Sequence, residues 1–167
     1  MAIIQDQHDL LVEAEREYNA LARKHKIKTS FDTLDDLYFV KDVILKERYI
    51  STQLLRFICK RIVDFYMSWA GYLHSLLLPN PNSMINVTEH NMFDEEEKDK
   101  ITELMNTILA FTSENNHLLL IKDSKADAAF IDESVVFWKK TAFPELKKLM
   151  KEIHNQWKYR LLHPPKD

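Results

Sequence analysis

The residues in this sequence that come closest to a known chemical motif are the acid and the histidine of a Glu-x-x-His pair. Glu114 and His117 stand three positions apart, which is the spacing used by di-iron helical bundles. Such bundles need two of these pairs together with further inward-facing glutamates, and this chain has one pair. Projected on a helix, both residues lie away from the apolar stripe of Ile108 and point to solvent. The sequence therefore predicts surface residues here, with no metal site and no cofactor.

The remaining chemical motifs are weaker. Phosphate-binding loops need several glycines, because backbone N–H groups must approach the phosphates, and Gly71 is the only glycine. Cys59 stands in an apolar helix, where a thiol is more often a packing residue than a nucleophile. An enzyme is therefore only our third hypothesis. Its site, or a metal site, would have to combine separate helices, for example Arg61 and Asp64 with a histidine.

Charge is unevenly distributed along the chain. The net charge is −3, but residues 139–160 hold seven bases against two acids, and residues 94–103 hold six acids against two lysines. The lysines of the last predicted helix that project opposite its apolar stripe are Lys147, Lys148, Lys151 and Lys158. Such a row is usually a solvated face, yet it also suits phosphates. Binding of nucleic acid or another polyanion is therefore our second hypothesis.

The elements that must position these residues are helices. One glycine in 167 residues compares with about twelve expected from average usage, and glycine supplies the positive φ angles of hairpins and bulges. Apolar residues recur at helical spacing, and no segment alternates with period two. We predict an all-α fold: one domain over 1–167, built as a bundle of five to six helices around a long central helix.

The predicted helix boundaries follow from the apolar periodicity and from the prolines. Helices are expected at about 5–27, in a second segment that ends near Lys46, and then at 48–78, 94–121, 124–142 and 144–162. Pro144 breaks or kinks the last of these runs. Residues 79–93 are expected to form a loop, and residues 163–167 an extended tail.

The long helix at about 48–78 is predicted to be central. Its core stripe consists of Leu54, Ile58, Ile62, Phe65, Trp69, Tyr72 and Leu76. Arg56 lies on the opposite, solvated side. From Val63 onward that side becomes apolar with Met67, Ala70 and Gly71, so we expect packing on both faces there, with Gly71 allowing close helix approach. Charges in the middle of the stretch argue against a membrane span.

The predicted loop at 79–93 supplies the leading functional hypothesis. It carries the apolar residues Met84, Ile85, Val87 and Met92, which must either fold back on the bundle or meet another chain. We therefore predict a non-enzymatic helical interaction or scaffold module whose partner is another protein or a second copy, in a homodimer. A single cysteine and an N-terminus without signal-peptide features favour the cytoplasm.

Overall fold

A computed structural model describes residues 2–163, so the predicted tail lies outside the described residues from position 164 onward. Its helices are α1 (Ala2–His25), α2 (Phe31–Tyr38), α3 (Val40–Glu47), α4 (Leu54–Leu77), α5 (Met84–His90), α6 (Glu95–Ile121), α7 (Ser124–Phe137) and α8 (Phe143–Leu162). A π-helical turn, Trp138–Ala142, joins α7 to α8. No strand occurs over this range, which confirms the all-α class. There are more helices than five to six, because one predicted segment is divided and the predicted loop contains a helix.

The second predicted segment is divided by residues with left-handed backbone conformations. Ser30 caps α2 by accepting a hydrogen bond from the Thr33 N–H, and Phe39, at φ 57°, separates α2 from α3. Arg48, at φ 59°, ends α3. Lys26 and Lys122 have similar φ angles of 60° and 55°. Positive φ is uncommon in residues other than glycine, and no glycine marks these positions, so the breaks could not be predicted from the sequence.

Helix α4 is the predicted long helix, but it begins at Leu54 rather than near residue 48. The left-handed Arg48 stops α3, and the connection is held by the Ser51 hydroxyl, which accepts from the Gln53 N–H at 3.1 Å. The first half of the predicted stripe is confirmed, because Leu54, Ile58 and Ile62 are at most 2% exposed. None of the described helices is long and apolar enough to cross a bilayer.

The second half of α4 differs from the prediction of two packed faces. Met67 is 44% exposed, and a Cβ added to Gly71 would meet no atom within 4 Å. Ala70 is buried and Val63 is half-buried, so the second face is only partly covered. In this half of α4 the first fully buried residue is Tyr66, whereas the predicted stripe passed through its neighbour Phe65. The expectation that Gly71 permits close helix approach is wrong.

The described residues form two compact units. The first unit runs from α1 to Phe65 and includes Thr112–Val135; the second comprises Tyr66–Phe111 and the chain from Val136 to the end of α8. The prediction of one domain over 1–167 stays a prediction. In the first unit, Tyr18 packs on Phe31 with ring centroids 5.4 Å apart.

The core of the second unit is aromatic. Tyr66 is fully buried and presents its ring at steep angles to Phe111, Phe137 and Trp138, with centroids 5.4 to 6.1 Å apart. Phe111 and Phe137 stack at 4.3 Å. Edge-to-face and offset-stacked arrangements are the preferred geometries for aromatic pairs, so this cluster explains why the buried line of α4 follows Tyr66.

At Pro144, where the sequence predicted a break or kink, the structure has a π-turn that leads into α8. Proline lacks an N–H, and its ring clashes with the carbonyl four residues earlier in an α-helix. In the π-turn the Phe143 N–H instead bonds the Trp138 carbonyl five residues back. The wider turn lets α7 continue into α8 with Pro144 at the start of α8, so the proline does not end the helical run.

Candidate functional site

Helix α5 occupies the middle of the segment that was predicted as a loop. Ser83 caps it by accepting from the Asn86 N–H, and its one buried residue is Glu89. Its first-turn residues Met84 and Ile85 are 84% and 62% exposed. The other two predicted binding residues, Val87 and Met92, are half-buried. The structure therefore leaves the first pair accessible and partly covers the second.

Polar contacts hold α5 in place. The Glu89 carboxylate accepts hydrogen bonds from the Tyr72 hydroxyl at 2.9 Å and from the Trp157 Nε1–H at 3.0 Å. Next to it, His90 Nδ1 donates to the Leu76 carbonyl oxygen at 2.7 Å. Burial, followed by the bond to Glu89, raises the pKa of Tyr72. Tyr72 is thus a neutral donor at ordinary pH, and the anchor consists of a carboxylate with two neutral donors.

The burial pattern of α5 is the reverse of that of an ordinary surface helix. A helix of a globular protein normally turns its apolar stripe inward and its charged residues outward. Here the carboxylate of Glu89 faces inward, whereas Met84 and Ile85 face solvent. Leu78, just after α4, is also 68% exposed. The first turn of α5 therefore presents two apolar side chains to solvent, while hydrogen bonds to Glu89 hold the helix from its polar side.

A groove between α6 and α8 is the second candidate site in this unit. It has a volume of about 460 Å³, within the range of ligand-binding clefts. Its floor is apolar: Phe93 and Ile101 are 6% and 4% exposed, and Leu104 and Leu149 are half-buried. Thr141 of the π-turn also lines it. This groove could not be predicted from the sequence, because its walls, at 97–107 and 141–152, come from different helices.

The rim of the groove is charged. It carries Glu97, Glu103, Glu145, Glu152, Lys100 and Lys148, and four carboxylates against two ammonium groups give a rim charge of −2. The Lys100 ammonium lies 2.7 Å from Glu96, and this hydrogen bond raises the pKa of Lys100. Lys100 is thus partly neutralised by an acid outside the groove. The rim consequently presents more negative than positive charge.

The four lysines predicted as a strip are all exposed, but they do not share one surface. Lys148 lines the groove. Lys147 lies over the Phe143 ring, 5.8 Å from its centroid. Helical spacing keeps Lys147, Lys151 and Lys158 within about 40° of one another, while Lys148 is turned about 100° away from Lys147. The basic strip therefore consists of three lysines rather than four.

A buried polar cluster in the first unit was also missed. Arg56, predicted to face solvent, is only 15% exposed and pairs with Asp127 at 2.8 Å, whose side chain is 7% exposed. The Arg56 Nη2 also donates to Asn115 Oδ1. Helical projection misplaced Arg56 because its partners lie 59 and 71 positions further along the chain. Because its guanidinium is bound by Asp127 and Asn115, this arginine has a structural role.

Of the groups considered for nucleophilic or acid–base chemistry, Cys59 is unreactive, Arg61 is engaged and Asp64 is exposed. Burial raises the pKa of the Cys59 thiol to about 12, so the thiol stays protonated at neutral pH and is a poor nucleophile. Arg61 donates from Nε to the Tyr38 carbonyl at 2.6 Å. None of these groups lines the groove.

The Glu-x-x-His pair lies where the sequence predicted. Glu114 and His117 are both exposed on α6. Across the part of the chain that the structure describes, no group of three or more histidine, cysteine or acidic side chains is arranged to hold a metal ion. The interpretation of the pair as surface residues is confirmed.

Comparisons with known proteins do not assign a function, so any functional proposal depends on the surfaces described above. No protein-family model, curated protein or solved structure matches this chain.

Proposed function

We propose that this protein is a non-enzymatic interaction module that presents α5 to another protein chain. The observation that carries the proposal is the reversed burial of α5, whose Glu89 faces inward while Met84 and Ile85 are 84% and 62% exposed. Contiguous exposed apolar side chains often mark interaction sites, and covering them with a partner is favourable. The single Cys59, a buried free thiol, supports the cytoplasm as its compartment.

The partner that we propose is a second copy of the chain. Closed two-fold dimers are the commonest protein oligomers, and they place the same patch of each copy face to face. Met84 and Ile85, consecutive in the first turn of α5, form a small apolar patch and carry no charge, so two copies could meet there without burying a charge of this pair. Such a contact would bury apolar side chains on both copies at about 25 cal/mol per Å².

Sedimentation velocity over a range of concentrations tests this proposal. We expect the parent to self-associate and the double variant Met84→Lys with Ile85→Lys to sediment as a monomer. The matched control is Leu120→Lys with Val12→Lys, because these first-unit residues are 83% and 53% exposed. The control should associate like the parent. A parent that stays monomeric at the highest concentration would contradict self-association.

A second candidate function is binding of a polyanion through Lys147, Lys151 and Lys158. The specific observation is that these exposed lysines share a face of α8 and, within residues 2–163, form no ion pair at 4.0 Å or less. Each phosphate neutralised adds about −0.9 to the slope of log affinity against log salt on duplex DNA. Binding should therefore weaken steeply as salt rises.

Titration of mixed DNA and RNA at low ionic strength tests this second candidate. We expect salt-sensitive binding that is lost when all three lysines are changed to glutamine. A matched control makes the same change in charge at exposed lysines of the first unit, namely Lys24, Lys46 and Lys60. Equal loss in both triple variants would indicate unspecific attraction, and no binding by the parent would remove this function.

A further inference from the structure

The groove between α6 and α8 is separate from the apolar patch of α5, since no residue of α5 lines it. Its wall on α6 runs from Glu97 to Thr107, and its wall on α8 begins in the π-turn at Thr141 and ends at Glu152. At 1.5 Å per residue, each wall is about 15 Å long. The groove therefore has the length of about three helical turns, which is longer than a compact small molecule needs.

The floor and the rim of the groove have different chemistry. The floor consists of Phe93, Ile101, Leu104 and Leu149, of which the first two are almost fully buried. Glutamates rise on both sides, with Glu97 and Glu103 on α6 and Glu145 and Glu152 on α8. An occupant that matches both parts must be apolar along one side and positively charged along its two edges.

We propose that this groove binds a basic amphipathic helix of a partner protein. An amphipathic helix fits a hydrophobic groove through side chains spaced at i, i+3, i+4 and i+7, and about ten residues of it would span the walls. Lysine or arginine beside its apolar stripe would lie against the glutamates, and complementary potentials of this kind favour the right partner and speed encounter. The proposal extends the interaction role to a second surface and does not depend on α5.

Rim charge is the feature that distinguishes this occupant. Neutralising the rim glutamates should weaken binding of a basic helix, and adding negative charge to the rim should strengthen it. Lys148, the rim cation on α8, opposes a basic helix. Lys148→Glu would change the rim charge from −2 to −4 and should tighten binding, so the effects of the two kinds of variant have opposite signs.

The test uses two fluorescent synthetic peptides of about 14 residues, a length that spans the groove as a helix. Both carry leucine at helical spacing, and the other positions are lysine in one peptide and glutamate in the other. Fluorescence anisotropy measures their binding to the full chain, at protein concentrations below any self-association seen by sedimentation. We expect the leucine–lysine peptide to bind and the leucine–glutamate peptide not to bind.

Two triple variants then locate the site. The rim variant changes Glu103, Glu145 and Glu152 to glutamine, and all three residues are exposed, so folding should be retained. We expect it to weaken binding about tenfold, because each exposed ion pair contributes little and three are removed. The control variant makes the same change in net charge in the first unit, at the exposed residues Glu13, Glu17 and Glu47. It should bind like the parent.

Four outcomes would overturn the proposal. The parent could fail to bind the leucine–lysine peptide, both triple variants could weaken binding equally, or the leucine–glutamate peptide could bind as tightly. A Lys148→Glu variant that binds more weakly than the parent would also contradict it. Sedimentation reports on α5 independently of the peptide, so failure of this inference and failure of the proposed self-association can be told apart.

Discussion

The two units use their acidic side chains in different ways. In the first unit, Asp132 accepts from the backbone N–H groups of Lys28 and Thr29 at 2.9 to 3.1 Å, which fixes the chain just after α1. Asp127 compensates the partly buried Arg56. In the second unit, Glu89 fixes α5, whereas four further glutamates, Glu97, Glu103, Glu145 and Glu152, stand on the rim of a groove.

The cores differ as well. In the first unit the Arg56–Asp127 ion pair joins α4 to α7, whereas the core of the second unit packs Tyr66 within a cluster of aromatic rings. An aromatic core supplies a large apolar contact area without needing many polar partners. Acids can therefore stand at a surface where aromatic packing contributes to stability. Four substitutions test this difference, ordered by the size of their expected effect.

Tyr66→Ala should have the largest effect. Tyr66 is fully buried among Phe111, Phe137 and Trp138, and removing a buried aromatic ring costs about 3–5 kcal/mol. Chemical denaturation measures the loss of unfolding free energy. The control Tyr49→Ala removes a ring that is 54% exposed and should cost about 0.5 kcal/mol. Similar losses for both variants would refute the central role of the aromatic cluster.

Arg56→Ala should come next, at about 3 kcal/mol, because it leaves the Asp127 carboxylate buried without its cation. Burial already raises the pKa of Asp127, and removing Arg56 raises it further. The folded state then binds a proton more readily than the unfolded state, so stability is gained as pH falls through the raised pKa. Denaturation at neutral and acidic pH should therefore give a smaller loss at acidic pH.

The matched variant for Arg56 removes both charges, as Arg56→Met with Asp127→Leu. Replacing a buried ion pair with apolar side chains is often neutral or stabilising, so the double variant should be more stable than Arg56→Ala. If the double variant is the less stable of the two, the cluster contributes more than charge compensation.

Glu89→Ala should cost about 1–2 kcal/mol, because the Tyr72 hydroxyl and the Trp157 N–H both lose their acceptor. Trp157 is 38% exposed, so water can replace part of this loss. Thermal denaturation measures the effect, and Glu89→Gln should be milder because the amide keeps one acceptor oxygen. If Glu89→Ala leaves the melting temperature unchanged, α5 is not held by its polar side.

Met67→Asp should have the smallest effect, about 0.5–1 kcal/mol, most of it from the lower helix propensity of aspartate. Met67 is 44% exposed on the face of α4 that was expected to be packed. Denaturation midpoints of variant and parent should lie close together. A severe loss of stability would restore the prediction of a second packed face.

The parts of this fold that could be predicted from sequence are those governed by local periodicity. The stripe of Leu54, Ile58 and Ile62, and the all-α class itself, follow from apolar spacing and from the near absence of glycine. Helix α5 was missed although its signal was present: Ser83 is a good N-cap residue. A helix of seven residues with two exposed apolar side chains shows too little periodicity to be recognised.

Features that depend on contacts between two helices could not be predicted from the periodicity of either helix alone. The burial of Arg56 depends on Asp127, 71 positions away, and the groove depends on which faces of α6 and α8 are neighbours. The shift of the buried line to Tyr66 depends on its aromatic partners in the same way. Met84 and Ile85 are exposed because α5 is oriented by the hydrogen bonds that Glu89 accepts from other helices.

The left-handed residues at the helix ends have a consequence for the unfolded chain. Lys26, Phe39, Arg48 and Lys122 hold positive φ angles that cost about 1–2 kcal/mol in a residue with a Cβ. Glycine would remove that strain, but it would also enlarge the conformational freedom of the denatured ensemble by about 0.4–1 kcal/mol per site. Side chains at these positions thus keep the denatured ensemble more restricted, which offsets part of the strain that the native backbone carries.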